Sequence, residues 1–141
     1  MKFKVAILQM KSLNRQYQKS ADIVIRMMKK ASENGADILL LPEAFLTGYE
    51  LPMSNEEALA DQNPYLDKIC TAAAALRIGA VITAITKGRK KPQNSAYVVD
   101  KSGKVLMKYS KVHTCDFPMK HALKTEIRFR CATFAESVLA L

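Results

Sequence analysis

Two short apolar runs, residues 3–10 and 36–41, flank a segment whose apolar side chains recur at helical spacing, and this arrangement constrains the fold more than any other feature of the chain. The first run begins by alternating and ends apolar, the pattern of a central or near-central strand. Across residues 17–34, Ala21, Val24, Ile25, Met28 and Ala31 share one helical face, lysines and arginines occupy the other, and Asn34-Gly35 supplies a stop. The second run closes at Pro42, which has no N–H to give to a strand ladder. A strand, a helix and a strand within about 40 residues are the signature of parallel pairing in an α/β layer structure.

The remainder extends that layer. Residues 42–55 read as a loop, and 63–77 as a second helix with Leu66, Ile69, Cys70, Ala73 and Leu76 on one side. Residues 79–85 form a third strand. Strands over 95–99 and 104–109 are joined by Asp100-Lys101-Ser102-Gly103, a tight turn, and Lys87-Gly88-Arg89-Lys90-Lys91-Pro92 is a hairpin turn. A short strand is expected within 127–134, after which Val138-Leu139-Ala140-Leu141 ends the chain on apolar residues, as an interrupted element would. With no repeat or linker, the 141 residues read as one incomplete domain.

Composition narrows the setting. No apolar run approaches the roughly 18 residues of a membrane span, and the start of the chain lacks a small-residue cleavage site, so a cytoplasmic protein with no membrane partner is expected. Cys70, Cys115 and Cys131 are too few and odd in number for a disulfide framework. Of the formal charge of +9, residues 87–130 account for the whole, with 12 basic and 3 acidic side chains. Such an excess can attract anions, yet no aromatic residues alternate with the charge as single-strand nucleic-acid binding requires, so no nucleic-acid partner is expected. His113, Cys115, His121 and Cys131 follow none of the closely paired zinc spacings, and no metal site is assigned.

Two groups carry potential chemistry. Glu43 directly follows Pro42 at the carboxyl end of a buried strand, where open α/β sheets place their sites. Set among Leu40, Leu41, Ala44, Phe45 and Leu46, it is expected to be partly desolvated with a raised pKa, as a general base near neutrality requires; a helix cap or a surface ion pair is the simpler alternative. Lys111 lies just past another strand end, where an ammonium can stabilise an oxyanion or acidify a thiol, unless it is one more surface lysine. Asn94 and Ser95 read as residues that fix a strand start, and Tyr49 as either a pocket or a packing residue.

Together these segments resemble the amino-terminal half of the carbon-nitrogen hydrolase family, the nitrilase and amidase group. The resemblance rests on residues 5–10, on Gly35-Ala36-Asp37-Ile38-Leu39-Leu40-Leu41-Pro42-Glu43-Ala44-Phe45 with Thr47-Gly48-Tyr49, on Asn94-Ser95-Ala96-Tyr97-Val98-Val99, on Gly103-Lys104-Val105 and on Tyr109-Ser110-Lys111-Val112-His113. It covers about residues 5–117 and leaves 118–141 as a divergent tail. It implies an α/β fold, a four-layer α-β-β-α sandwich that is truncated here, and a Glu-Lys-Cys triad acting on non-peptide amide or nitrile bonds. Glu43 would be the general base and Lys111 the stabiliser of the tetrahedral intermediate, with Phe45, Tyr49 and Phe117 lining the substrate pocket. The resemblance further implies a small amide or nitrile substrate, a homo-oligomer, and neither metal nor organic cofactor.

The family's nucleophile sits where a hydrophobic run leads into a cysteine followed by one residue and then Asp or Glu, and nothing after Lys111 has that form. Cys115-Asp116 lies in the loop after the lysine, and Cys131 matches a strand before the expected nucleophile. Where members often carry a further glutamate after the lysine, this chain offers Lys120, a like charge. The expectation is a hydrolase fold without hydrolysis in the chain as given; the alternative is a non-catalytic structural or interaction module that uses an exposed sheet face.

Overall fold

The computed structural model describes residues 3–112 and the backbone of 131–134 and 137–140. In chain order the elements are β1 (Val5–Ile7), α1 (Tyr17–Glu33), β2 (Ile38–Leu40), α2 (Pro64–Leu76), β3 (Gly79–Thr86), β4 (Gln93–Val99), β5 (Val105–Ser110), β6 (Cys131–Phe134) and β7 (Ser137–Ala140). The first five strands form one sheet in the order β1-β2-β3-β4-β5. β1, β2 and β3 run parallel, whereas β4 and β5 return antiparallel. β6 and β7 pair with each other as an antiparallel hairpin.

Helix ends follow from local chemistry. Beyond α1, Gly35 takes a left-handed φ of 72° that lets its N–H reach Ser32 O at 2.8 Å and Ala36 N–H reach Ala31 O at 3.0 Å, satisfying two terminal carbonyls. α2 opens on Asn63, whose Oδ1 accepts the N–H groups of Tyr65 and Leu66 at 3.1 and 2.9 Å, with Pro64 in the first turn where no N–H is needed. Gly103 closes the β4–β5 turn at φ 82°, and a side chain there would meet Cys70 O on α2 at 2.3 Å.

The helices cover one face of the sheet. Ala21, Val24 and Met28 of α1 and Leu66, Ile69 and Ala73 of α2 share a core with Leu39, Ala80, Ile82, Ala84, Tyr97 and Val99. This gives a helix layer and a sheet layer of the expected sandwich. The alternate side chains form a smaller cluster on the other face, with Ile38, Val98 and Met107 packed beside Leu40, Val81 and Leu106.

One strand departs from expectation. The first run gives only Val5–Ile7, and it is the edge of the five-stranded sheet rather than a central or near-central strand. It pairs with β2 alone, and Ile7 and Val5 are 70% and 45% exposed because they point away from the helices. Apolar character therefore marked the strand correctly but not its place in the order.

The segment from Pro42 to Asn63 is tied to β3 and thereby holds the upper rim of the sheet. Thr83 Oγ1 donates to Pro42 O and accepts Phe45 N–H at 3.0 Å, bracketing the two residues between them. Leu46 N–H reaches Thr83 O at 2.9 Å, and Thr47 Oγ1 accepts Ile85 N–H at 2.9 Å. Farther along, Asn55 makes two bonds to the backbone of Gly88, fastening the loop to the β3–β4 turn.

Asn63→Ala removes the helix cap and is expected to lower unfolding free energy by about 1 kcal/mol in urea titration. Thr83→Val keeps the shape but leaves two backbone groups without their partner. We expect a loss of about 1–3 kcal/mol and faster amide exchange at Phe45, measured on the same chain.

Candidate active site

Glu43 leaves the sheet one residue after Pro42 and is followed by Ala44, a fully buried residue at φ 51°. A left-handed conformation costs a residue with a Cβ about 1–2 kcal/mol, so the turn that directs the Glu43 side chain is held by its surroundings, the Thr83 bracket first among them. From the other side of the sheet, Lys111 follows β5 directly, and its backbone N–H bonds to Asn94 O at 2.7 Å.

These elements bring Glu43 and Lys111 together. Lys111 Nζ lies 2.8 Å from Glu43 Oε1, although 68 residues separate them in the chain. Asn94 Nδ2 donates to the same carboxylate oxygen at 2.6 Å. Strand alternation puts Asn94 on the face of Val98, opposite the helices, so the three polar groups gather at the rim of the face that α1 and α2 do not cover.

The Glu43 side chain is 48% exposed and that of Lys111 34%, so both groups are partly covered. Leu41, Ala44, Phe45 and Leu46 are themselves buried, and they turn inward while Glu43 turns out.

Beneath the pair, on the helix side, a chain of polar contacts fastens three strand ends. Thr86 Oγ1 and Ser95 Oγ are 2.8 Å apart, Ser95 Oγ and Ser110 Oγ 3.1 Å, and Ser110 Oγ donates to Gln93 Oε1 at 3.2 Å. Thr86, Ser95 and Gln93 are buried, so these bonds form in a medium where leaving them unmade would be costly. The strand end from which Asn94 projects is consequently well fixed.

Other residues fall elsewhere. Phe45 is fully buried in the helix-side core, and Tyr49 packs with Leu51 against Ala44, Met53, Ala58 and Ile85 in the loop cluster. Phe117, His113, Cys115 and His121 lie outside the described residues, as do the surroundings of the Cys131 side chain. Lys108 engages Asp61 and lies over the ring of Tyr97, a partnership separate from that of Lys111. Cys70 sits at the far end of the sheet, beside the Gly103 turn. Burial pushes its thiol up, and Asp67 and Asp100 add to the effect, which opposes the thiolate a nucleophile needs. No cluster of three or more metal-ligating side chains occurs among the described residues, and none of the described helices is long and apolar enough to cross a membrane.

Sequence reasoning did not see the part played by Asn94. Its position at a strand start was legible, but its carboxylate partner is 51 residues away, and no local pattern encodes that contact.

Comparison with known proteins places the chain in a family. The chain is 32% identical over 89 residues to the 2-oxoglutaramate amidase of Bacillus subtilis, a match covering 61% of this chain and 34% of that protein. It is 26% identical over 123 residues to the hydrolase in the agr operon of Staphylococcus aureus, covering 86% and 47% respectively. The chain thus spans about a third to a half of the length of these curated relatives. Among solved structures, an amidase from Nesterenkonia sp. superposes with a TM-score of 0.83 at 23% identity, over 98% of this chain and 54% of that one, which establishes the shared fold. The profile of the carbon-nitrogen hydrolase family matches residues 4–134, running past Phe117 into β6, and the chain belongs to that family.

Proposed function

We propose that this chain carries the base and the charge-stabilising group of a hydrolase for non-peptide amide or nitrile bonds, with Glu43 and Lys111 in those roles. The observation that supports this reading best is the 2.8 Å contact between Lys111 Nζ and Glu43 Oε1 at a strand-end rim. In an amide reaction, Glu43 takes the proton of a cysteine thiol, the thiolate adds to the carbonyl carbon, and Lys111 balances the negative charge that develops on oxygen. The C–N bond breaks as the protonated carboxyl of Glu43 gives its proton to the leaving amine. Glu43 then takes a proton from water, and the resulting hydroxide attacks the thioester to release the acid and restore the thiol. Tyr49 and Phe117 would line the pocket, whereas Phe45, expected there too, is buried in the helix-side core. No metal or organic cofactor enters this sequence.

The cysteine is the part these 141 residues do not offer in the family's pattern. Cys70 is remote from the pair and its thiol is pushed up. One structure of the Nesterenkonia amidase shows acrylamide added at its active site cysteine, and another holds butyramide, which favours small amides as the substrate class here. The 141-residue chain is therefore expected to release no ammonia from butyramide or similar aliphatic amides above a protein-free blank. Turnover that disappears in Cys115→Ala or Cys131→Ala would contradict this expectation.

The exposed side chains of Val5 and Ile7 on an edge strand favour a second reading, a non-catalytic module that associates through this face, as a homo-oligomer or otherwise. Under it, Ile7→Lys is expected to shift the species seen in sedimentation velocity from oligomer to monomer. A monomer already present before substitution would exclude self-association.

A further inference from the structure

Asn94 touches both members of the pair, through different atoms. Its side-chain Nδ2 donates to Glu43 Oε1 at 2.6 Å, and its backbone carbonyl accepts the N–H of Lys111 at 2.7 Å. The residue is buried, and its backbone is registered opposite Ile85 of β3. One residue thus connects the loop after β2, the start of β4 and the end of β5.

We propose that Asn94 is the positioning residue of this site, its amide fixing the orientation of the Glu43 carboxylate while its carbonyl fixes the backbone from which Lys111 projects. The proposal deepens the hydrolase reading and rests on it for the chemical meaning of the pair. An ammonium on a flexible four-carbon stem attracts a carboxylate from many directions and orients it poorly. A planar amide held on a strand donates along one line, so it selects a rotamer. Aspartate at this position would turn acceptors toward the carboxylate and repel it, and serine would fall short of it. Glutamine would add a further rotatable bond. The polar chain through Gln93 and Ser95 anchors the residues on both sides of Asn94, so the donor itself has little freedom.

The test is a carbon-13 titration of the Glu43 side-chain carboxyl in the 141-residue chain. In Asn94→Ala the midpoint is expected to rise by about one pH unit, because a donor to the ionised form is lost. Asn94→Leu, which keeps bulk without a donor, should give the same rise and serves if the alanine variant does not fold. A midpoint unmoved in a folded variant would overturn the proposal. Lys111→Met separates the two ideas. A rise there without one in the Asn94 variants removes the positioning role and leaves the hydrolase reading intact. A rise in the Asn94 variants alone supports the positioning contact and counts against the paired roles of Glu43 and Lys111.

Discussion

A carboxylate and an ammonium 68 residues apart in the chain meet at 2.8 Å, and strand direction brings them there. Parallel pairing of β1, β2 and β3 sends β2 out of the sheet toward the same rim that β3 reaches. Antiparallel return through β4 then makes the start of β4 and the end of β5 arrive at that rim too. Four chain segments converge there because of strand direction alone, and Pro42, Asn94 and Lys111 mark where they leave or enter the ladder.

The direction of dependence matters. With 48% and 34% of the two side chains exposed, the ion pair contributes little to stability, on the order of 1 kcal/mol or less. The helix-side core, which buries Phe45, Met28, Ile69 and Ile82 completely, supplies far more. The fold therefore holds the pair, and the pair does not hold the fold. The costs are local: a left-handed Ala44 next to Glu43, and a run of buried hydroxyls and an amide that must all find partners.

Much of this was legible in the residues because periodicity and stop signals are local. The spacing of Ala21, Val24, Met28 and Ala31 locates α1, Asn34-Gly35 ends it, and Pro42 ends the second strand run, all within a few residues of where the chain does these things. Strand order was less legible. The apolar run at residues 3–10 signals a strand, but the number of its neighbours depends on chain far away, and β1 is an edge. The contribution of Asn94 and the bracket made by Thr83 were invisible, since each depends on partners about 40 to 50 residues distant whose approach only the folded chain defines.

On the geometry described, Glu43 and Lys111 are in direct contact in solution. Nitrogen-15 detection of the Lys111 side-chain ammonium across the acidic pH range tests it most directly. The account predicts a chemical-shift inflection at the pH where Glu43 takes up its proton, absent in Glu43→Gln; an ammonium signal that is flat through that range in the unsubstituted protein would contradict it.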